Sequence, residues 1–214
     1  MNKPYLRILK KPKLIAPTFI VGLPGFGNVG KIAAELLIEF TEAERFAELY
    51  SPYFADYVII DQTGICRLPR YEFYSCQISK PNLVIATGDM EPSFDETCSH
   101  YVLCAIISDF VLKLGCRRII TLGGYPVSTS EIGKVYVAAT SGRIAAAATR
   151  NASVIYKEGQ IAGAAGLLLG LAKLRGVPGL CILGHTTGII PDRQAALTVF
   201  RYLVRILRLK RIKT

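Results

Sequence analysis

The sequence contains no C-x-x-C pair, no long apolar run and no stretch of linker composition, and each absence narrows what the protein can be. Its six cysteines stand apart from one another, mostly within apolar segments such as VLCAII and LCILG. This pattern indicates buried, reduced thiols rather than a disulfide-linked secreted chain. We therefore expect an intracellular, cytoplasmic protein.

A membrane span is not expected either. The longest uncharged stretch, residues 14–30, holds two prolines and four glycines, which are incompatible with a membrane helix. Residues 159–172 are uncharged over 14 positions, whereas a helix that crosses a bilayer needs about 20. A signal peptide is not expected, because Pro17, Gly22 and Pro24 interrupt the first apolar run and no small-x-small cleavage site follows it.

Metal ligands are scarce and poorly spaced. Cys98, His100 and Cys104 lie close in the sequence, but Cys98 and Cys104 project from different faces of a helix. His100 and Cys104 share a face, yet a structural zinc site usually has four ligands. The sequence predicts neither a metal site nor a cofactor.

Short apolar strands alternate with helices along the whole chain. Leu83–Thr87, Arg118–Leu122 and Leu180–Leu183 are apolar on both faces and are each followed by glycine. Such runs are typical of parallel strands covered by helices on both sides. The sequence predicts an α/β fold, a three-layer α/β/α sandwich with a mostly parallel central sheet. A chain of 214 residues suits a single domain, residues 1–214.

A small hairpin insertion is predicted within this fold. Ile65–Leu68 and Glu72–Ile78 look like two short strands around a Pro-Arg turn. Tyr57–Ile60 is predicted to be a strand that ends at Asp61. Ser93, followed three residues later by a glutamate, is a capping-box pattern that predicts the start of a long helix.

The two ends of the chain contain no acidic residue. The net charge is +10, and residues 1–13 and 201–214 hold five and six Lys or Arg residues, while the body between them is nearly neutral. We distinguish a basic N-terminal segment, 1–13, and a basic C-terminal helix and tail, 192–214. Asp192 is expected to cap that helix.

The arginines of the last helix form a candidate surface for a partner: Arg201, Arg205, Arg208 and Arg211. The first three recur at helical spacing on one face, opposite an apolar face. A solvated face is the simplest interpretation, and an acidic protein partner is the next. Nucleic acid is less expected, because no aromatic cluster accompanies the arginines.

Two nucleotide-binding patterns overlap in the segment GLPGFGNVGKIAAELL, residues 22–37. The first is G-x-x-x-x-G-K, which ends at Lys31. A P-loop needs a hydroxyl after this lysine to hold Mg²⁺, and the chain has Ile32 there. A working P-loop is therefore not expected.

The second pattern is G-x-G-x-x-G at Gly25, Gly27 and Gly30. A dinucleotide site also requires an acidic residue about 20 positions later, at the end of the next strand. Asp61 lies 31 residues past Gly30, so NAD is not predicted. The glycines are interpreted first as a tight strand-to-helix turn. The amides at the start of its helix could still hold an anion.

Ligands of open α/β sheets bind at the carboxyl ends of the strands. The candidate residues for an anion or ligand pocket all follow predicted strands: Gly25, Gly27, Asn28, Gly30, Asp89, Glu91, Gly124 and His185. His185 could act as a general base, and Asp89 with Glu91 as an acid–base pair. A structural histidine and helix-capping acids explain the same residues equally well.

Several segments, in order along the chain, resemble one known family, the proteasome assembly chaperones in their archaeal branch. They span roughly residues 14 to 205 and include GLPGFGNVGKIAAELL, YSPYFADYVIID, GICRLPRYEFY, LVIATGDMEP, RIITLGGYPV and GAAGLLLGLAKLRGVPGLCILGHT. An ordered set of this length is far more specific than a single glycine motif.

The resemblance implies a fold similar to that of nucleoside phosphorylases, a homo-oligomer, no catalysis, and binding to proteasome α subunits. In archaeal members of the family, a C-terminal tail ending hydrophobic-tyrosine-any docks between α subunits. This chain ends Ile212-Lys213-Thr214, with lysine in the place of tyrosine. We therefore expect a non-enzymatic protein of the chaperone type.

Two alternatives remain open at this point. A small-molecule enzyme or binder of the nucleoside or phosphate type would bring Asn28, Asp89 and His185 together in one pocket. A protein that contacts RNA or DNA would lose its salt-dependent binding when residues 201–214 are removed.

Overall fold

The computed structural model describes residues 1–77, 81–92, 97–127, 133–150 and 153–210. The strands are β1 (Tyr5–Ile8), β2 (Thr18–Gly22), β3 (Glu44–Tyr50), β4 (Ile59–Ile60), β5 (Cys66–Arg67), β6 (Tyr71–Cys76), β7 (Leu83–Gly88), β8 (Arg118–Pro126), β9 (Val135–Ala139), β10 (Val154–Ile155) and β11 (Gly179–Thr186). The helices are α1 (Val29–Thr41), α2 (Thr97–Lys113), α3 (Gly142–Thr149), α4 (Gly163–Leu174) and α5 (Arg193–Leu207).

Nine of the strands form one sheet, in the order β1-β3-β6-β7-β2-β8-β11-β9-β10. Its centre, β7-β2-β8-β11, is parallel. On one side β6, β3 and β1 add antiparallel strands, and on the other β9 is antiparallel to β11 but parallel to β10. The predicted α/β fold is confirmed. Parallel pairing is concentrated at the centre of the sheet. The sequence does not distinguish these strands from the antiparallel ones beside them, because short apolar strands look alike whichever way they run.

Helices cover both faces of the sheet and create two apolar cores. Along β2, Ile20 points into the core under α1, α3 and α5, whereas Phe19 and Val21 point into the core under α2 and α4. The alternation follows from the two-residue period of a strand. Both faces of β2 are therefore buried, and Phe19, Ile20 and Val21 are all apolar and at most 2% exposed.

The hairpin insertion has a different composition from the predicted one. β4 pairs with β5 as a two-stranded antiparallel hairpin, with Gly64 (φ 82°) in its turn. β6, expected to be the second strand of the hairpin, instead joins the main sheet between β3 and β7. Tyr57 and Val58 precede β4 and are half-exposed, so the predicted strand there is reduced to two residues.

The last helix begins as expected. The Asp192 carboxylate accepts a hydrogen bond from the Ala195 amide at 2.9 Å, which satisfies one of the unpaired amides at the helix start. The helix ends at Leu207, and Arg208 follows it in a left-handed conformation with φ 54°. Two further predictions, the capping box that starts at Ser93 and the position of Arg211, lie outside the described residues.

None of the helices in the described ranges is long and apolar enough to cross a bilayer.

Candidate functional site

The glycine turn follows β2 directly. A short 3₁₀ turn, Phe26–Asn28, leads into α1, and Gly27 and Asn28 both have left-handed backbones with φ 59° and 49°. Asn28 is the residue that precedes the helix, but its side chain does not cap it. Gly25 is extended, with φ 176°, so its backbone does not need glycine.

Three glycines allow backbone segments to touch. A methyl group on Gly30 would collide with the carbonyl of Leu122 in β8, and one on Gly124 would collide with the carbonyl of Phe26. A methyl group on Gly22 would collide with the carbonyl of Gly30. The glycines therefore hold α1 and the 3₁₀ turn directly against the sheet.

The amides of this turn bond to carbonyl groups of the protein. The Gly27 amide donates to the Gly188 carbonyl at 3.3 Å, and the Asn28 amide donates to the Gly25 carbonyl at 2.8 Å. The Val29 amide donates to the Phe26 carbonyl. These three amides are thus already hydrogen-bonded within the protein, two to carbonyl groups of the turn and one to Gly188, and are not available to an anion.

A cavity of about 320 Å³ opens next to the turn, at the carboxyl edge of β2 and β8. Gly25, Gly124 and Glu91, three of the predicted residues, line it. Its other walls are mainly apolar and come from β2, β8 and the segment 160–165 at the start of α4. Among the described residues, no lysine or arginine lines the cavity, and Glu91 is the one ionisable carboxyl in its wall. A carboxylate is opposite in charge to what a phosphate requires.

Glu91 is held at the N-terminus of α4. One carboxylate oxygen accepts a hydrogen bond from the Ala164 amide at 3.2 Å, and the other lies beside Gly163. A methyl group on Gly163 would lie 2.6 Å from this second oxygen, and Gly163 has φ 69°. Burial raises the pKa of Glu91 to about 7, against the smaller opposite effect of the Ala164 amide.

Asp89 does not line the cavity, although it is only two residues from Glu91. Its carboxylate accepts two hydrogen bonds from Arg67, at 2.6 and 2.7 Å, and one from the Arg70 amide at 2.9 Å. Burial by itself would raise the pKa of Asp89, but the hydrogen bonds from Arg67 and Arg70 outweigh it and lower the pKa. Asp89 therefore anchors the hairpin rather than acting as a partner of Glu91.

His185 is also outside the cavity wall. It is 8% exposed, and its ring lies 6.1 Å from the ring of Tyr125 and 5.9 Å from that of Tyr136. Asn28 does not line the cavity either. Among the described residues, the three side chains that the enzyme hypothesis required do not share a cavity.

Asp61 is not at the edge of the main sheet. It accepts hydrogen bonds from the amides of Thr63 and Ile65 in the turn between β4 and β5. The sequence predicted a strand that ends at Asp61, and β4 does end at Ile60, but this strand belongs to the exposed hairpin and not to the main sheet.

The arginine face of α5 is present as predicted. Arg201 and Arg205 lie on its exposed side, and Arg208 is exposed just beyond its end. The opposite side packs into the core through buried residues such as Leu203 and Leu207. Among the described residues that line the cavity, none belongs to α5.

Sequence reasoning missed an exposed apolar surface on the β4–β5 hairpin. Five side chains in and around the β4–β5 hairpin are 48% to 67% exposed: Tyr57, Val58, Ile60, Ile65 and Leu68. We call this set the hairpin patch. The apolar pattern of YVII was visible, but it equally fits a buried strand.

Residues 19–214 match the model of the PAC2 family. A Methanocaldococcus jannaschii protein of uncharacterised function is 34% identical over 206 residues, which are 93% of this chain and 78% of that protein.

Two solved structures from Pyrococcus furiosus are similar over almost the whole chain. PbaB, described as an archaeal proteasome activator, is 37% identical with a TM-score of 0.93, and the match covers 98% of this chain and 91% of PbaB. PbaA, described as an archaeal homologue of proteasome-assembly chaperone, is 26% identical with a TM-score of 0.83, covering 98% and 83% of the two chains.

These matches confirm the resemblance that the ordered segments suggested. They extend from β2 through α5, and so include the glycine turn, the hairpin and the strands that surround the cavity. The chain belongs to the PAC2 family.

Proposed function

We propose that this protein is a non-enzymatic, proteasome-assembly-chaperone-like protein that binds proteasome α subunits and acts as a homo-oligomer. The observation that carries the proposal is the hairpin patch. Apolar side chains exposed together on an element that projects from the sheet mark a protein-binding surface.

Hydrogen bonds to the segment that follows β7 fix the position of the hairpin patch. Arg67 in β5 forms the two hydrogen bonds to Asp89 at the end of β7. The sulfur of Met90 accepts hydrogen bonds from the Ala55 amide at 3.4 Å and from the Tyr57 hydroxyl at 3.6 Å. A patch fixed before binding loses less conformational entropy when the complex forms.

A second apolar group lies at the same edge. Ile189 and Ile190, which follow β11, are 87% and 67% exposed. Two separate apolar areas suit a protein that contacts both a partner and copies of itself. Tyrosine and aliphatic side chains of this kind are common at the centres of protein interfaces.

The choice of partner rests on the relatives. The similarity to PbaB, at 37% identity and over 98% of this chain, supports a proteasome partner. PbaA, at 26% identity, supports the same choice. We assign the specific contact with α subunits to the hairpin patch, with a second, electrostatic contact through Arg201, Arg205, Arg208 and Arg211.

The test is a pull-down of recombinant proteasome α subunits with the purified full chain, together with light scattering to measure its oligomeric state. The double substitution Ile60→Asp/Ile65→Asp should lower the affinity at least about tenfold, as expected for central apolar contacts. Arg201→Glu/Arg208→Glu should weaken binding less, and mainly at low salt.

Leu174→Asp is the matched control, since Leu174 is 82% exposed but lies at the other end of α4, away from the hairpin. It should bind like the parent chain. Failure of the intact chain to bind α subunits, or full binding by the hairpin variant, contradicts the proposal. A monomer in light scattering at all concentrations contradicts the homo-oligomer.

A further inference from the structure

We infer that the cavity beside Glu91 binds a small organic cation, an apolar body that carries one primary ammonium group. This site is separate from the hairpin patch and does not depend on proteasome binding. Three features carry the inference: the size of the cavity, its apolar wall, and the single unpaired carboxylate that opens into it.

The size suits a small molecule. The cavity measures about 320 Å³, within the range of natural ligand pockets, and an engineered apolar cavity of about 150 Å³ already binds benzene. An aromatic ring with a short alkyl chain therefore fits. The wall is formed mainly by side chains such as Val21, Leu23, Leu122 and Leu183, with backbone of the 160–165 segment.

The carboxylate determines the charge of the ligand. Among the described residues, Glu91 accepts a hydrogen bond from the Ala164 amide alone, through one oxygen, while its second oxygen lies beside Gly163. Within the described ranges, no lysine, arginine or histidine forms an ion pair with Glu91, although arginines pair with Glu48, Glu72 and Asp89. This partly buried carboxylate lacks the opposite charge that would stabilise it.

The titratable neighbours of Glu91 cannot supply that charge. Burial, with a smaller effect of the Glu91 charge, raises the pKa of the Cys104 thiol in α2 to about 12. Burial, then the charge of Glu91 and that of Cys104, raise the pKa of Tyr71 in β6. Both groups stay neutral at physiological pH, so an ammonium group from a ligand is the natural counter-charge.

The position of Gly163 supports a built site. Its left-handed backbone, with φ 69°, and its missing side chain leave room for the second oxygen of Glu91. A larger residue would push the carboxylate away from the start of α4. The local geometry thus keeps one oxygen on the helix amide and leaves the other for a ligand.

The test measures binding of three probes of similar shape to the full chain by isothermal titration calorimetry at pH 8. The probes are 2-phenylethylamine, 2-phenylethanol and 3-phenylpropionate, which carry a cation, a neutral group and an anion. We expect the amine to bind at least about tenfold more tightly than the alcohol, and the carboxylate not to bind.

Glu91→Gln should remove the preference for the amine but keep the weaker binding of the alcohol, which also shows that the variant is folded. Ala165→Leu, which fills part of the cavity, should weaken both ligands. The control Glu158→Gln, an exposed carboxylate close to the cavity wall, should leave amine binding unchanged.

The amine should also bind more weakly at pH 6, by about tenfold, because only the ionised carboxylate attracts it and Glu91 is mostly protonated there. Equal binding of the three probes, an unchanged amine affinity in Glu91→Gln, or no binding of any probe overturns the inference.

Discussion

The antiparallel side of the sheet and the carboxyl edge of its parallel centre differ in how their carboxylates are paired. In the first region, Arg70 bonds to Glu48 at 3.1 Å and to Glu72 at 2.6 Å, and tyrosine hydroxyls donate to both carboxylates. In the second, Glu91 faces a cavity with a single backbone amide as its partner. The first arrangement is complete within the protein, whereas the second is completed by a ligand.

The two regions also differ in how they pack. The antiparallel side is filled by side chains, with the rings of Phe73 and Phe110 edge to face at 5.1 Å and those of Phe46 and Phe110 stacked at 6.1 Å. The parallel edge is packed by backbone on backbone at Gly30 and Gly124. Side-chain packing tolerates substitution better than contact between two backbones, which cannot change rotamer.

The largest expected effect comes from breaking the complete network. Arg70→Met leaves Glu48, whose side chain is 3% exposed, without its nearest arginine. Arg7 and Arg45 remain 3.6 Å from Glu48, but the closest cation of this buried carboxylate is lost and Glu72 loses a partner as well, so the free energy of unfolding should fall by about 3 to 4 kcal/mol. Urea denaturation at fixed protein concentration measures this. Arg7→Met removes a more distant partner of Glu48 at 3.6 Å on an exposed side chain, and it should cost less than about 1 kcal/mol. Equal losses of stability in the two variants would contradict the prediction that Arg70 is the main partner of Glu48.

The unpaired carboxylate makes stability depend on pH. The pKa of Glu91 is about 7 in the folded protein against a usual value of 4.5, so the folded state holds the proton more tightly. The protonated carboxyl group therefore contributes about 3 kcal/mol to the free energy of unfolding below pH 4.5, the usual pKa. This contribution is lost as the pH rises through about 7, the pKa in the folded protein. Glu91→Gln should remove this loss.

Denaturation curves of the parent, Glu91→Gln and Glu158→Gln, recorded at pH 5 and pH 8, check this prediction. The exposed Glu158 serves as the control, and its variant should keep the pH dependence of the parent. A fall of the same size in Glu91→Gln would assign the pH dependence to other groups.

The glycine turn provides a paired substitution at the parallel edge. Gly30→Ala places a methyl group on the Leu122 carbonyl, and the strain should cost about 2 kcal/mol after the better helix propensity of alanine is counted. Gly25→Ala meets open space on an extended backbone and should change stability by less than about 0.5 kcal/mol. Thermal unfolding distinguishes the two, and a neutral Gly30→Ala would mean that the turn is not a packing device.

The smallest effect on stability is expected at the hairpin patch. Ile60 and Ile65 are 56% and 67% exposed, so Ile60→Asp/Ile65→Asp should change the free energy of unfolding of the isolated chain by about 0.5 kcal/mol or less. The same variant is expected to lose partner binding, and that separation of stability from binding is the useful readout. A large loss of stability would place the patch in the core of a folded assembly.

Much of the architecture could be predicted from the sequence, because the signals involved are local. β7 and β8 begin at the predicted residues, Leu83 and Arg118, and Asp192 caps α5 as expected. The overlapping glycine motifs were rightly interpreted as a tight turn: the missing hydroxyl at Ile32 already argued against a P-loop. The glycine turn now has a steric explanation at Gly30, while Gly25 has none.

The candidate site was predicted only in part. Gly25, Gly124 and Glu91 line the cavity, whereas Asp89 and His185 do not, and their role as a ligand pocket stays a prediction. Strand ends identify the edge at which a cavity forms, yet they do not show whether a side chain turns toward the cavity or toward a neighbour. Arg67, 22 residues before Asp89, decides that question for Asp89.

By itself, the sequence determined the alternation of strands and helices, their approximate ends and the family to which the chain belongs. The alternation and the ends depend on periodicity, capping and turn residues, which act over a few positions, and the family was suggested by the ordered segments. Only the tertiary structure decided that β6 enters the main sheet, that the hairpin exposes its apolar side chains, and that no cation of the described residues pairs with Glu91. The reason is distance: Glu91 meets the Ala164 amide across 73 positions of sequence, and only the folded chain brings such residues into contact.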